Sequence, residues 1–436
     1  MISIKNILGL FLVIIIITSC SLNKNSSFWT KKKIVKKEQA KNVTELFVTQ
    51  EKIIKEFNPN LKIKLSSTPK NTNIINNLNN SGRINYDGEL KKISRYKYSK
   101  INKFDIFKPD LIFDKSNVIF FDDKGSILKF DHLSKLVWKK NHYTKKEKKK
   151  KPFLFFANNS RNLIVADTIS QFYSINIKTG DLLWKKINDT PFNSEIKIYK
   201  DNFYLVDLEN ILRSFSIKDG KEIWKFKTQK SIIKSQKKLS IIIVDDKVFF
   251  TNSVGDVTAL EANTGNLIWQ TPTQRTSVEA GYFKLKTSDL ISDAKSILFS
   301  NNNNNFFSLD VNTGLVNWIQ KINSTIRPSL IDGYVFTVTE EGFLVIIDRN
   351  KGNIIKMTDV FNVFNVKKRS KIKPEGFVVG KKNIYLTTNN GLLLIIDLSS
   401  GMTKEVIKVD REKISRPFIL DQNLFIAKNN AIIKLN

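Results

Sequence analysis

Residues 263–270 read NTGNLIWQ, and variants of that octapeptide stand at 178–185 (KTGDLLWK), 218–225 (KDGKEIWK) and 312–319 (NTGLVNWI). In each, a glycine is followed four residues later by a tryptophan: Trp184, Trp224, Trp269 and Trp318. A polar side chain stands four residues before each glycine, giving the pairs Asn176/Gly180, Ser216/Gly220, Glu261/Gly265 and Asp310/Gly314. Glycine suits a turn position that needs positive φ, and a short acceptor side chain can close such a turn locally. Two further pairs, Asp348/Gly352 and Asp397/Gly401, keep the turn but carry Lys356 and Glu405 in place of tryptophan. An earlier copy carries Trp138 after a turn one residue shorter that lacks the glycine.

Upstream of these turns runs a second repeat. Fourteen-residue units align without gaps at 118–131, 163–176, 203–216, 248–261, 297–310, 335–348 and 384–397, and an eighth runs from Leu424 to Asn436. Each is an apolar run, a polar turn and another apolar run, the pattern of a β-hairpin. With an entry strand before it and the tryptophan-bearing strand after it, each unit predicts four strands in roughly 40–49 residues, the period of a β-propeller blade. A lone blade leaves two apolar faces uncovered, so neighbours must stack on it. The indoles of Trp138, Trp184, Trp224, Trp269 and Trp318 are then expected to fill the gaps between sheets.

The eighth unit stops after its third strand, which would leave an unpaired edge. The alternating segment GELKKISRYKY (88–98) can supply the missing strand. The expected fold is therefore all-β: an eight-bladed propeller of four-stranded antiparallel blades over 84–436, its last blade closed by an N-terminal strand.

The chain opens MISIKNILGLFLVIIIITSC. Lys5 followed by the apolar stretch Ile7–Ile17 fits a secretory signal peptide over 1–19 and is too short to span a bilayer. Ile17-Thr18-Ser19-Cys20 resembles a bacterial lipobox, which makes Cys20 the expected lipidated residue. Cys20 is the sole cysteine, so no disulfide or cysteine-based zinc site can form. Residues 20–83 have the composition of a polar, mostly disordered tether. Within it, Val43–Phe57 has near-helical apolar spacing, but no convincing far cap, and an extended tether is preferred.

The net charge of +31 would ordinarily suggest an anionic partner. Lys, Asn and Ile are over-used together, however, and no RNA-binding aromatic motif is present, so the charge reads as compositional bias rather than nucleic-acid binding. The run TKKEKKKKP (144–152) raises a narrower possibility, a contact with anionic lipid through Lys145–Lys151, against which stands a simple solvated insertion. His132 and His142 flank no nucleophile elbow and form no zinc-binding pair. No catalytic residue, cofactor or metal site is expected.

NTGNLIW-type repeats resemble the quinoprotein (PQQ-like) propeller repeat. Together with the lipobox, the tether and an eight-bladed ring, they resemble the BamB family of outer-membrane assembly lipoproteins, and residues 269–300 give the nearest local match. The resemblance implies a non-enzymatic, monomeric scaffold on the periplasmic face of the outer membrane of a Gram-negative bacterium. It would bind the POTRA domains of the barrel-forming subunit BamA through loops on one propeller face. The family's contact residues map onto Ser288 and Asp289 in one loop and onto SIIKSQKKL (231–239) in another. In the second loop Ile232 and Ile233 would supply apolar contacts and Lys234 or Lys237 the cation, since the family's Arg-Gly pair is missing. Lysine lacks the fork that lets arginine hold a carboxylate bidentately.

Two alternatives stand beside this. One is another cell-envelope propeller lipoprotein that binds a different receptor or a polysaccharide. The other is a quinoprotein dehydrogenase, which would need carboxylates around calcium. The acidic pairs Asp122-Asp123, Asp245-Asp246 and Glu340-Glu341 all fall at turns or loop ends, where solvation explains them more simply.

Overall fold

Each fourteen-residue unit forms the central hairpin of one four-stranded antiparallel sheet, and there are eight such sheets. The computed structural model describes residues 55–65, 82–107, 109–229, 235, 237–273 and 286–436. Blades one to seven span 112–140, 154–187, 197–227, 241–271, 291–320, 329–359 and 374–408. The eighth combines the strands of 418–435 with Lys92–Lys97, which pairs antiparallel to the last strand with Tyr96 opposite Ile432. The terminal strand thus seals the ring as expected. Tyr96 is fully buried and meets Phe130 of the first blade edge-on at 5.5 Å, so the seal also joins blade eight to blade one.

Burial follows strand position. The two hairpin strands of a blade are almost wholly buried because sheets cover both their faces, whereas outer strands such as Leu136–Lys140 show one face to water. Full burial of each Phe, Leu, Ile or Val side chain is worth about 1.5–3 kcal/mol, and the ring holds such residues at every blade-to-blade contact.

The repeated turn behaves as its chemistry dictates. In the fifth blade Asp310 accepts from the backbone N–H groups of Asn312 and Thr313 at 3.0 and 2.8 Å, and Gly314 sits at φ +70°. One residue into each outer strand the register slips by a bulge, and the residue opposite the tryptophan is then small: Ser174, Ser214, Ala259 and Ser308. The freed space lets each indole lean onto the next blade. Trp184, Trp224, Trp269 and Trp318 donate their indole N–H to the carbonyls of Ile217, Ala262, Val311 and Arg349 at 2.9–3.1 Å, three residues before the glycine of the following turn. These four indoles thus reach from one blade to the next, and the Trp138 ring lies against Gly180 of the second blade's turn.

The sixth blade lacks a tryptophan and solves the same problem differently. Lys356 is buried at that position, and an unpaired buried ammonium would be costly. The carbonyls of Pro59 and Leu61 accept from its Nζ at 2.8 and 2.5 Å. Residues 55–65 form a strap across blades six and seven: Phe57 pairs with Met357 through two backbone bonds, and Ile63 is buried after donating to the Ser399 carbonyl at 3.0 Å. The chain thus packs on the ring well before residue 84, the boundary expected for the propeller. Cys20, the leader and Val43–Ile54 lie outside the described residues.

Candidate functional site: the charged mouth of the ring

The loops that lead into the innermost strands converge on the ring axis. Only near the axis can side chains from blades one, four, six and eight meet, and they do. Asp110 receives Lys238 Nζ and, at 3.1 Å, Arg416 Nε. Lys238 also lies 3.9 Å from Glu195, which pairs with Lys197 at 3.1 Å. Lys237 donates to the carbonyls of Thr287 and, at 2.9 Å, Thr325, and stands 3.4 Å from Asp289.

A local rule positions these charges. Ser194, Ser288 and Ser415 are buried, and each hydroxyl accepts from the backbone N–H twelve residues on, at 2.8–2.9 Å. The same hydroxyl donates to the carbonyl of the next residue, Glu195, Asp289 or Arg416. The serine pins the loop to the blade, so the following side chain is held toward the axis. Ser288 consequently serves as a brace within the ring, and Asp289 is the group it presents.

Electrostatics at the mouth are strong because the charges are partly desolvated. Burial pushes the Asp289 carboxyl up, but Lys237, Lys238, Arg327 and Arg416 outweigh it and hold Asp289 at about 2. Asp110 is likewise driven well below the carboxylate range, burial being overcome by Lys238 and Arg416. Both are anionic at neutral pH. Arg327 is less favoured in its charged form than usual: burial and the neighbouring Arg416 both act against it, with Glu195 and Asp289 in opposition.

Two of the sequence-predicted contact segments meet here. Lys237 and Asp289, fifty-two positions apart, come together at the mouth. Ile232, Ile233 and Lys234 lie outside the described residues. Unpredicted were Asp110, Glu195, Arg327 and Arg416. A signal for them exists: with Asp289, all stand eight residues ahead of a fourteen-residue unit, a position whose other occupants are Phe155, Ser240 and Gly376.

The remaining candidates are placed elsewhere. His142 Nε2 lies 3.1 Å from the Gly180 carbonyl, its pKa lowered by burial, and His132 is exposed. Asp122 caps its own hairpin turn, Asp246 pairs with Lys200, and Glu340 accepts from Thr325 Oγ1 at 2.6 Å. Among the described residues no group of three or more acidic or histidine side chains is arranged to hold a metal. Lys145–Lys149 forms one helical turn with a capping box between Thr144 and Glu147.

The family model for the outer membrane protein assembly factor BamB matches residues 123–358. BamB of Legionella pneumophila (strain Paris) is 26% identical over 161 residues, covering 36% of this chain and 37% of that protein. BamB of Shewanella oneidensis is 19% identical over 256 residues, 58% of this chain and 63% of that one. The matched stretch thus spans less than two thirds of either relative. Among solved structures, BamB from Moraxella catarrhalis superposes with a TM-score of 0.65 at 11% identity, covering 80% of this chain and all of that one. A quinohemoprotein alcohol dehydrogenase from Comamonas testosteroni gives 0.61 at 10% identity over 84% and 78%. These superpositions speak to the propeller fold, whereas the family model spans more than half of the sequence, and on that ground the chain belongs to the BamB family of outer membrane protein assembly factors.

Proposed function

We propose that this protein is a non-enzymatic scaffold of outer-membrane β-barrel assembly. It is held to the periplasmic face of the outer membrane through a lipidated Cys20, and it binds the POTRA domains of a BamA-type subunit with the face that carries the charged mouth. The observation that carries this reading is the meeting of Lys237 and Asp289, which joins the two predicted contact loops into one surface. Ile232 and Ile233, beside Lys237 in sequence, supply the apolar part of the contact.

The mouth favours binding over cofactor chemistry. A cavity there holds about 110 Å³ and is lined in part by the Asp110–Lys238 and Asp110–Arg416 pairs. Sites for small molecules usually offer about 300 Å³ or more. A quinone cofactor would have to displace the ion pairs that tie blades one, four and eight together.

Affinity purification of the tagged, membrane-anchored protein followed by mass spectrometry tests the proposal. Recovery of a BamA-type subunit supports it. A folded, anchored protein that recovers none points instead to another envelope receptor.

A further inference from the structure

Each blade ends in an outer strand, and an unpaired outer edge invites pairing with another chain. The outer strands of blades one, two, three and seven, and the closing strand Lys92–Lys97, each carry two or more lysines or arginines, which discourage such pairing. The outer strand of blade four, Leu267–Thr271, holds no charged residue but runs straight into Pro272, which has no N–H to offer. The edge of blade six is taken by the strap. Blade five differs from all of these. Its outer strand, Val316–Gln320, holds no charged residue, Val316 and Ile319 are about half exposed, and no described residue pairs with its outer side.

The strap shows what such an edge accepts. Phe57 exchanges two backbone bonds with Met357, Glu56 Oε1 accepts from the Asp359 N–H at 2.9 Å, and Asn58 Nδ2 donates to the Ile355 carbonyl at 3.2 Å. Met357 is free to do this because it faces Val345 in the kind of antiparallel pair that leaves N–H and C=O pointing away from the partner strand. Ile319 faces Phe307 at the same place in the fifth unit, five residues after Gly314 as Met357 is after Gly352. Its N–H and C=O therefore point outward as well. Two residues further on, blade six presents Asp359 and blade five presents the exposed Lys321.

We propose that the outer edge of blade five pairs antiparallel with an extended segment of another polypeptide, one that sets an aromatic residue opposite Ile319 and, just before it, an acidic residue beside Lys321. Main-chain bonds at Ile319 hold the segment, and side chains at alternate positions select it. Lys321 stands where blade six has a carboxylate, so an acidic residue is better matched here than in the strap. The segment is foreign because the molecule's own strap is already seated, with Phe57 on blade six and Ile63 buried against blades six and seven. The assignment stands on the edge itself and not on the assembly role.

Fluorescence anisotropy of a labelled, capped peptide TVEFNVT titrated with the purified full chain tests the edge, with hydrogen exchange to locate it. The wild type should bind saturably, and amide exchange over 316–321 should slow. Ile319→Lys, which puts a charge on the edge, and Ile319→Pro, which removes the outward N–H without touching the ladder, should each weaken binding by about tenfold or more. The corresponding change in blade four, Gln270→Lys, should leave it unchanged. The peptide TVKFNVT should bind the wild type more weakly than TVEFNVT, and Lys321→Glu should reverse that order. Absence of saturable binding to the folded wild type overturns the proposal, as does equal binding of the two peptides. Binding of unchanged strength by both folded Ile319 variants overturns it as well. Self-association that Ile319→Lys abolishes would give the edge to a second copy and overturn it too.

Discussion

Trp269 of the fourth blade lies on Gly314 of the fifth, its indole N–H 3.1 Å from the Val311 carbonyl. A β-carbon on Gly314 would come within 2.5 Å of the indole, and the backbone there has φ +70°. Gly314→Ala therefore combines left-handed strain with overpacking and should destabilise by about 2–4 kcal/mol in urea denaturation. Gly333→Ala, where a β-carbon meets nothing within 4 Å, is the control and should stay within about 0.5 kcal/mol.

The first blade breaks the indole rule. Lys129 stands opposite Trp138, where other blades have serine or alanine, and its ammonium donates to the Ile177 carbonyl at 3.0 Å. That carbonyl is the counterpart of the indole acceptors elsewhere, and the Trp138 N–H is left without a hydrogen bond. Trp138→Phe should thus cost less than Trp269→Phe, by about 1 kcal/mol, the usual net value of one buried hydrogen bond. Equal losses in denaturation would contradict this account.

The strap makes a prediction about protection. Ile63 is buried against the sixth and seventh blades, and the neighbouring carbonyls hold Lys356. Ile63→Asp should release the strap, so that limited trypsin digestion at Lys62 and Lys64 proceeds faster than in the wild type while the ring stays intact. Unchanged cleavage would show that the strap is held by other contacts.

Acid should loosen the mouth. Asp289 is held at about 2 once the surrounding lysines and arginines outweigh its burial, below the usual 3.8. A carboxylate with a lowered folded-state pKa contributes stability that is fully present above its unfolded value and is lost as pH falls through its folded value. Stability should therefore fall between about pH 4 and pH 2, and Asp289→Asn should flatten that part of the profile while lowering stability at neutral pH. Thermal denaturation across that range, wild type against variant, checks the sign.

Much of the ring was legible because its devices repeat. The Asp310/Gly314 turn, the tryptophan four residues later and the two apolar runs each report one local constraint, and eight copies make the constraint unmistakable. The closing strand was legible from an edge left open at Asn436 and an alternating partner at 88–98. The strap was not. Its LKIKL (61–65) alternates like a strand but sits in tether-like surroundings, and its role follows from Lys356, a departure whose compensation lies about 300 residues away. The mouth was half legible. Asp289 and Lys237 were found by resemblance, whereas Asp110, Glu195, Arg327 and Arg416 share an offset from the repeat but no common residue type. Their partnership is a product of ring closure, which brings distant loops to one axis.

The most direct test of the proposed scaffold role is binding between the purified protein and the isolated POTRA domains of a BamA-type subunit, measured at two salt concentrations. The account predicts saturable binding by the wild type and its loss in a folded variant carrying Ile232→Ala, Ile233→Ala and Asp289→Lys together. Binding of equal strength by that variant would remove the mouth from the interface, and no binding by the folded wild type would contradict the scaffold role itself.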